Sequence, residues 1–289
     1  MTDSHWQAAV VQIEATLTRH NHRGMATLRE HLKPGYLLRA ANLIASTRGH
    51  VFIITGFPVG DTFETDGPAG AMALYHCCER FGARPHILGD ESLCRALASD
   101  YRCHAISGSS LAESEQSASA LYAELPADLV IAIERPGAAA DGRYYNMAGI
   151  DISARGRVAE PYLTVADCPT IAIGDGGNEV GMGAAGVALE QLPVHAASST
   201  CQELIVADVS NWAAYALCAI LNRSHSDSPT YEIQVAALLA YLVDRGAVDG
   251  VTGSATATED GFPEGSGDLL VEEIQFSLAH LKSHIEAAP

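Results

Sequence analysis

The chain has 289 residues, 48% hydrophobic and 6% aromatic with 26 glycines, a length and composition that suit an α/β protein able to bury a sizeable core. Its 17 Lys and Arg stand against 35 Asp and Glu, a formal net charge of -18 with Lys33 and Lys282 as the only lysines, so nucleic acid and anionic membrane are excluded as expected partners. No apolar run approaches the roughly 20 residues of a membrane helix, and the start MTDSHWQAAVVQIE lacks a basic segment followed by an apolar one, so a cytoplasmic chain is the expectation.

The first fifty residues read as helical. DSHWQAAVVQIEATLTRH is one candidate helix, and PGYLLRAANLIASTR is a second, with Pro34 near its start and Gly49 after its end. From His50 onward, short β-branched runs alternate with longer helical patterns. Strands are expected at VFIITGF (51–57), RPHILGD (84–90), RCHAIS (102–107), LVIAIER (129–135), TIAIGD (170–175) and ELIVADV (203–209). In AGAMALYHCCERFG, after the first strand, Ala71, Leu74, Tyr75, Cys78 and Phe81 fall on one face at helical spacing. Residues 136–168 interrupt the alternation, with a short helix expected near Ala159–Ala166; so long an irregular stretch with this composition is expected to be functional. Two more helices, 229–245 and about 266–286, flank the loop VDGVTGSATATEDGFPEG. The seven cysteines include no CxxC pair, so neither a disulfide framework nor a zinc ribbon is expected.

Apolar strands separated by amphipathic helices specify a mostly parallel sheet with helices on both faces, a Rossmann-like three-layer α/β sandwich. A single domain over 1–289 is expected, with N-terminal helices in 1–49 and the sheet core in 50–289, into which the loop 136–168 is inserted.

Ligands of such a sheet bind outside the carboxyl ends of the strands. The residues after each strand are therefore the ones to read. The first strand leads into TGFPVGDTFETDGPAGA, with Thr55, Gly56, Glu64, Asp66 and Gly67. After the fourth come Glu134, Arg135, Arg143, Tyr144, Tyr145, Asn146 and Asp151; after the fifth, Asp175, Gly176, Gly177, Asn178 and Glu179; after the sixth, DVSNWAA. Each admits a simpler role, Asp66 or Asn178 as a helix cap and the glycines as turn formers. A dinucleotide fingerprint fails, because a GxGxxG frame begun at Gly174 meets Glu179 where the third glycine should stand. No lysine follows a glycine-rich loop, and no GxSxG marks a hydrolase elbow. The remaining carboxylates, amides, tyrosines and arginines suit acid/base chemistry on a small polar molecule. They equally suit a hard cation such as Mg²⁺, on Asp66, Glu134, Asp151 and Asp175.

TGFP with ETDGPAGA, ERPG with DGRYYNMAGIDIS, and GDGGNEVGMG, in that order, resemble the D-glutamate cyclase family, in particular its C-terminal, cyclase-like domain. The resemblance runs from Arg23-Gly24 to VDGVTGSATATEDGFPEG. Where the family commonly reads TVDG, this chain reads TEDG, with Glu259 and Asp260. The resemblance implies a lyase that converts D-glutamate to 5-oxo-D-proline with loss of water. An acidic amino acid is then the partner, no cofactor is required, and both Mg²⁺ and a homo-oligomer are compatible. Such a cyclisation needs a base for the α-ammonium, an acid for the γ-carboxylate, donors around the tetrahedral oxygens and a partner for the α-carboxylate. On this reading Glu64 and Asp66 are the first acid/base pair and Asp175 and Glu179 the second, around a glycine turn whose N–H groups hold a carboxylate. Arg135 and Arg143 clamp the substrate carboxylates, Tyr144, Tyr145 and Asn146 line the pocket, and Asp151 orients one of them or binds a metal. Thr55, Gly56, Gly67, Glu134, Gly176, Gly177 and Asn178 complete the substrate-binding set. Two other functions are compatible with these residues: a Mg²⁺-dependent enzyme acting on a phosphorylated small molecule, and an amino-acid-binding or sensor domain without turnover.

Overall fold

Successive side chains of a strand point to opposite faces of its sheet, so a strand that is apolar throughout asks to be covered on both sides. The computed structural model describes residues 3–224 and 231–286, with side chains for 5–224 and 231–279, and it meets this demand. Three helices, α1 (Asp3–Leu17), α2 (Met25–His31) and α3 (Tyr36–Ser46), precede β1 (His50–Thr55). A small hairpin of β2 (Pro58–Val59) and β3 (Thr62–Phe63) leads through α4 (Pro68–Arg80) to β4 (Arg84–Gly89), α5 (Glu91–Leu97), β5 (Cys103–Ala105) and α6 (Leu111–Glu124). Then follow β6 (Ala127–Ile133), α7 (Glu160–Thr164), β7 (Thr170–Gly174), a 3₁₀ stretch at Gly183–Gln191, and β8 (Glu203–Val206). Helices α8 (Ser210–Ser224), α9 (Val235–Val243) and α10 (Ser266–Glu286) complete the described chain.

The six long-range strands are all parallel, in the order β5-β4-β1-β6-β7-β8. Val51, Ile53, Ile131 and Ile173 join a core with α1, α3, α4, α8, α9 and α10, while Phe52, Ile54, Val130 and Ala172 join a second core with Met25, Leu28, Ala118 and Tyr162. Each fully buried Val, Ile, Leu, Phe or Met side chain among these contributes roughly 1.5–3 kcal/mol, and both faces are thereby anchored. The register sets Thr55 beside Ile133 and Ile133 beside Ile173. Glu134 and Asp175 therefore leave the sheet one and two residues beyond a common row, and the hairpin brings Glu64 and Asp66 back to the same edge.

The six expected strands form, each ending one to three residues early, because the chain turns out of the ladder at residues such as Gly56 (φ 100°) and Glu134 (φ 43°). Helix α3 begins only at Tyr36, since Gly35 ahead of it is left-handed (φ 85°), and Pro34 stays outside. Helix α4 is buried almost all round rather than on one face: its second face is built from Gly, Ala and Cys, and a Cβ on Gly70 would stand 2.8 Å from Ala214 Cβ of α8. The helix expected at 229–245 runs from Val235 to Val243, with residues 229 and 230 outside the described residues. The short helix of the inserted loop is α7, and the helix expected at 266–286 is α10. All seven cysteines are free thiols. Among the described residues no helix is long and apolar enough to cross a membrane.

Candidate functional site

A cavity of about 530 Å³ opens at the carboxyl edge of the sheet beside β1 and β6. The strand order reverses between these two strands; their following helices diverge to opposite faces, which opens a crevice for a ligand. Phe57 to Gly60 form one wall, and Asn146 to Ala148, Ile152 and Arg155 of the inserted loop form another. Gly250, Val251 and Asp260 close it from the C-terminal loop, Arg23 from the α1–α2 connection, and Glu64, Glu134 and Asn178 face it from the sheet edge.

Asp66 does not cap its own helix. Its Oδ1 accepts from Asn211 N at 2.7 Å and Gly67 N at 2.9 Å, and its Oδ2 accepts from Ser210 N at 3.0 Å, so it caps α8. In return Asn211, inside α8, accepts from Gly67 N (2.9 Å) and Gly70 N (2.6 Å) and caps α4. Two helices whose N-terminal N–H groups lack intrahelical partners thus satisfy each other. Glu134 sits in the left-handed region (φ 43°), a conformation that costs energy for a residue with a side chain; its Oε2 accepts from Ser210 Oγ at 2.6 Å. Asp175 Oδ1 and Asp260 Oδ1 each accept from Arg23, both at 2.5 Å.

Glu64 is different. Its side chain is buried, yet no hydrogen bond or ion pair of the described residues engages its carboxyl group, which borders the cavity. Gly250 is what lets it stand there, since a Cβ at that position would lie 1.7 Å from Glu64 Oε2. Two further carboxylates hold the surrounding loops. Asp208 accepts from His20 N (2.8 Å) and Asn21 N (2.9 Å), fixing the segment that carries Arg23. Asp249 accepts from Val251 N, Thr252 N, Gly261 N and Thr258 Oγ1, which folds the loop bearing Gly250 and Asp260; burial raises its pKa, but these donors bring the net shift below the ordinary value.

Burial is the first cause of the high pKa of Glu64, Asp66, Glu134 and Asp175, all pushed well above the usual carboxylate range. Like charge adds to it: Asp66 and Asp260 act on Glu64, Asp175 and Asp260 on Asp66, Asp175 and Glu179 on Glu134. Against burial, Arg23 pulls Asp175 down. Burial also lifts Glu259 to about 7, although Tyr215, Asn211 and Trp212 donate to its carboxylate and oppose the rise. Ligand oxygens of Asp66, Glu134 and Asp175 all lie within 4.8 Å of one another, so these three suit a hard cation.

Several residues expected at the site are elsewhere or otherwise engaged. Both oxygens of Glu179 are taken by the N–H groups of Asp175, Gly176 and Gly177 at 2.6–3.0 Å. The glycine turn expected to hold a substrate carboxylate holds this one instead. Arg135 is 1% exposed and donates to Gly56 O, Asp90 Oδ1 and Arg157 O, away from the cavity. Arg143 and Asp151 pair with each other at 3.7 Å on the surface, which removes Asp151 from the carboxylate cluster. Tyr144 donates to Glu160 and Tyr145 to Asp141, outside the cavity lining. Gly176 lies beneath the wall, with Met147 Sδ 2.5 Å from where its Cβ would be. Gly67 (φ 88°) packs between Thr55 and Glu134, and Asn178 donates to Tyr145 O from the cavity edge. Sequence reasoning assigned no site role to Arg23, Asp208, Ser210, Asn211, Asp249, Glu259 and Asp260, although DVSNWAA was among the strand-end segments and Glu259 and Asp260 stood out in TEDG. For Asp208, Ser210 and Asn211 a signal existed, because DVSN follows a strand.

The profile of a family described as D-glutamate cyclase-like, C-terminal, matches residues 13–275. The mitochondrial D-glutamate cyclase of Homo sapiens is 31% identical over 215 residues, 64% of this chain and 34% of that protein. The chain therefore spans about a third of that relative's length. A crystal structure of an exopolyphosphatase-related protein from Bacteroides fragilis aligns with a TM-score of 0.42 and 11% identity, over 87% of this chain and 57% of that one. The span matched by the profile includes Arg23, every buried carboxyl group around the cavity and the loops that hold them, and the chain belongs to the D-glutamate cyclase-like, C-terminal family.

Proposed function

We propose that the chain is a lyase that closes D-glutamate on itself to 5-oxo-D-proline with release of water. The observation that carries this reading is the Glu64 carboxyl, buried at the cavity, unengaged by hydrogen bonds, and flanked by Glu134 and Asp260. In the reaction a C–N bond forms between the amine nitrogen and the carbon of the γ-carboxylate, and one oxygen of that carboxylate departs as water. The ammonium begins with three protons and the amide keeps one, so both protons of the water originate on nitrogen. One carboxyl group lying between nitrogen and oxygen can carry them in turn, first as base and then as acid. Glu64 takes that role. Glu134 and Asp260 attract the ammonium, and Arg155, whose present partner Asp61 is almost fully exposed (98%), can exchange that weak surface pair for the α-carboxylate. A phosphorylated substrate fits less well, because carboxyl groups outnumber guanidinium groups around this cavity.

Incubation of the purified chain with D- or L-glutamate, with and without Mg²⁺, followed by chiral chromatography, tests the reading. The expected result is 5-oxo-D-proline from the D isomer and a fall of about 10²–10⁴ in turnover for Glu64→Gln. Wild-type rates in that variant would remove Glu64 from the chemistry, and no product under any condition would remove the cyclase.

A further inference from the structure

We propose that Asp66, Glu134 and Asp175 form a resident site for a hard divalent cation, Mg²⁺ or Mn²⁺, with the Thr55 hydroxyl beside it. The three carboxylates reach one point from the ends of three separate segments, and their ligand oxygens lie within 4.8 Å of one another. Opposite ligands of one hard cation are themselves about 4–5 Å apart. The donors are all oxygen, with no His or Cys in the group, which selects Mg²⁺ or Mn²⁺ over Zn²⁺.

Unused coordination capacity points the same way. Asp175 is 1% exposed, Arg23 occupies its Oδ1, and its Oδ2 has no hydrogen-bond partner. Thr55 is fully buried and its Oγ1 likewise has none. That hydroxyl is next to the cluster: Glu134 Cβ and Thr55 Oγ1 lie 2.6 Å and 2.7 Å from the point a Cβ on Gly67 would occupy. A buried polar atom left unpaired costs roughly 1–3 kcal/mol; here two such atoms adjoin one cluster. Glu134 uses only Oε2 within the protein, and Asp66 Oδ2 accepts a single N–H, so each of the three acids keeps an oxygen able to take a cation. The N-terminal caps on Asp66 fix its plane while leaving that capacity, and Ser210 does the same for Glu134.

Glu134, one of the three, lines the cavity together with Glu64. A cation held there would polarise the γ-carboxylate of a bound glutamate and stabilise the negative charge that develops on its oxygen. That catalytic role rests on the cyclase reading; the binding does not.

The test uses the full chain, stripped with chelator, dialysed, and titrated with Mn²⁺ by calorimetry and by electron paramagnetic resonance. Expected are one saturable Mn²⁺ per chain below about 1 mM and a rise in unfolding temperature with either Mg²⁺ or Mn²⁺. Asp175→Asn and Glu134→Gln should weaken binding by ~10–100-fold or more and Thr55→Val by less, with Asp151→Asn unchanged. No saturable binding to the wild type overturns the site, as does binding that neither carboxylate variant alters. The D-glutamate assay separates the two readings. Full turnover in chelated protein removes the cation's role and leaves the cyclase, whereas tight Mn²⁺ binding without turnover keeps the site and removes the cyclase.

Discussion

Replacing Asn211 by alanine tests whether the cavity floor is held by two helices that cap each other. The side chain is fully buried and makes four hydrogen bonds: it accepts from Gly67 N and Gly70 N, and donates to Thr65 O (3.1 Å) and Glu259 Oε1 (2.9 Å). Alanine removes all four, but their loss is unequal. Gly67 N still reaches Asp66, Thr65 O still accepts from Ala69 N, and Glu259 keeps Tyr215 and Trp212. Gly70 N–H is stranded in the first turn of α4, at about 1–3 kcal/mol for a buried unsatisfied donor. Losing the three other partnerships adds about 0.5–1.5 kcal/mol each. Asn211→Ala should therefore destabilise the fold by about 5 kcal/mol, within a range of about 2.5–7.5, larger than an ordinary cap deletion of about 1 kcal/mol. Urea unfolding at fixed pH measures it, with an unchanged m-value as the sign that both states keep their compactness. A loss below about 1 kcal/mol would refute the reciprocal capping, since no rearrangement of α4 alone supplies a new acceptor for Gly70 N–H.

Glu259 should make stability fall as pH rises. Its folded pKa of about 7 exceeds the ordinary 4.5, so its contribution is fully present below pH 4.5 and is lost as pH rises through about 7, to a total of about 3 kcal/mol. Glu259→Gln, which cannot titrate, should lack this share of the decline; wild type and variant keeping a constant stability difference from pH 5 to 8 would contradict it. Gly250→Ala should push the Glu64 carboxyl aside and lower turnover by ~10²–10⁴ with a native circular dichroism spectrum, and an undiminished rate would detach Glu64 from the reaction. Arg23→Met leaves Asp175 and Asp260 without their shared cation, and thermal or urea unfolding should register a loss of about 3–5 kcal/mol. Stability equal to wild type would mean that the ion pairs to Arg23 are replaced by another neutralising group.

The strands were legible because six apolar runs bounded by turn residues have one consistent solution, a parallel sheet covered on both faces. The hairpin β2–β3 and helix α2 were not, since two-residue strands and a seven-residue helix are too short to show a period. At the site the division follows sequence distance. Glu64, Asp66, Glu134 and Asp175 could be read because each follows a strand end. Arg23 meets Asp175 and Asp260 across 152 and 237 residues, and no local pattern encodes such a meeting. Arg135 follows a strand as directly as Glu134 does, but the left-handed turn at Glu134 sends the next side chain inward to Gly56 O and Asp90. Glu179 shows a different limit: a carboxylate four residues past Asp175 can fold back on its own backbone, and the same glycine-rich composition would serve an external anion equally well.

Part of the acidic excess of the composition is concentrated inside the fold. Glu64, Asp66, Glu134, Asp175 and Asp260 are all at most 8% exposed around one cavity, with Arg23 as the guanidinium paired into the group. One guanidinium balances one carboxylate. Leaving the other four ionised in a low-dielectric setting would cost several kcal/mol per charge, a large fraction of the roughly 5–15 kcal/mol by which a typical fold is stable. The difference has to be met by protons, by a bound cation or by the ammonium of a substrate. Each of these is exchangeable, so whatever enters the cavity with positive charge displaces protons and stabilises the fold together with the site. Ligand affinity and folding stability are therefore coupled through the same group of carboxyls, and a change in one should be read out in the other.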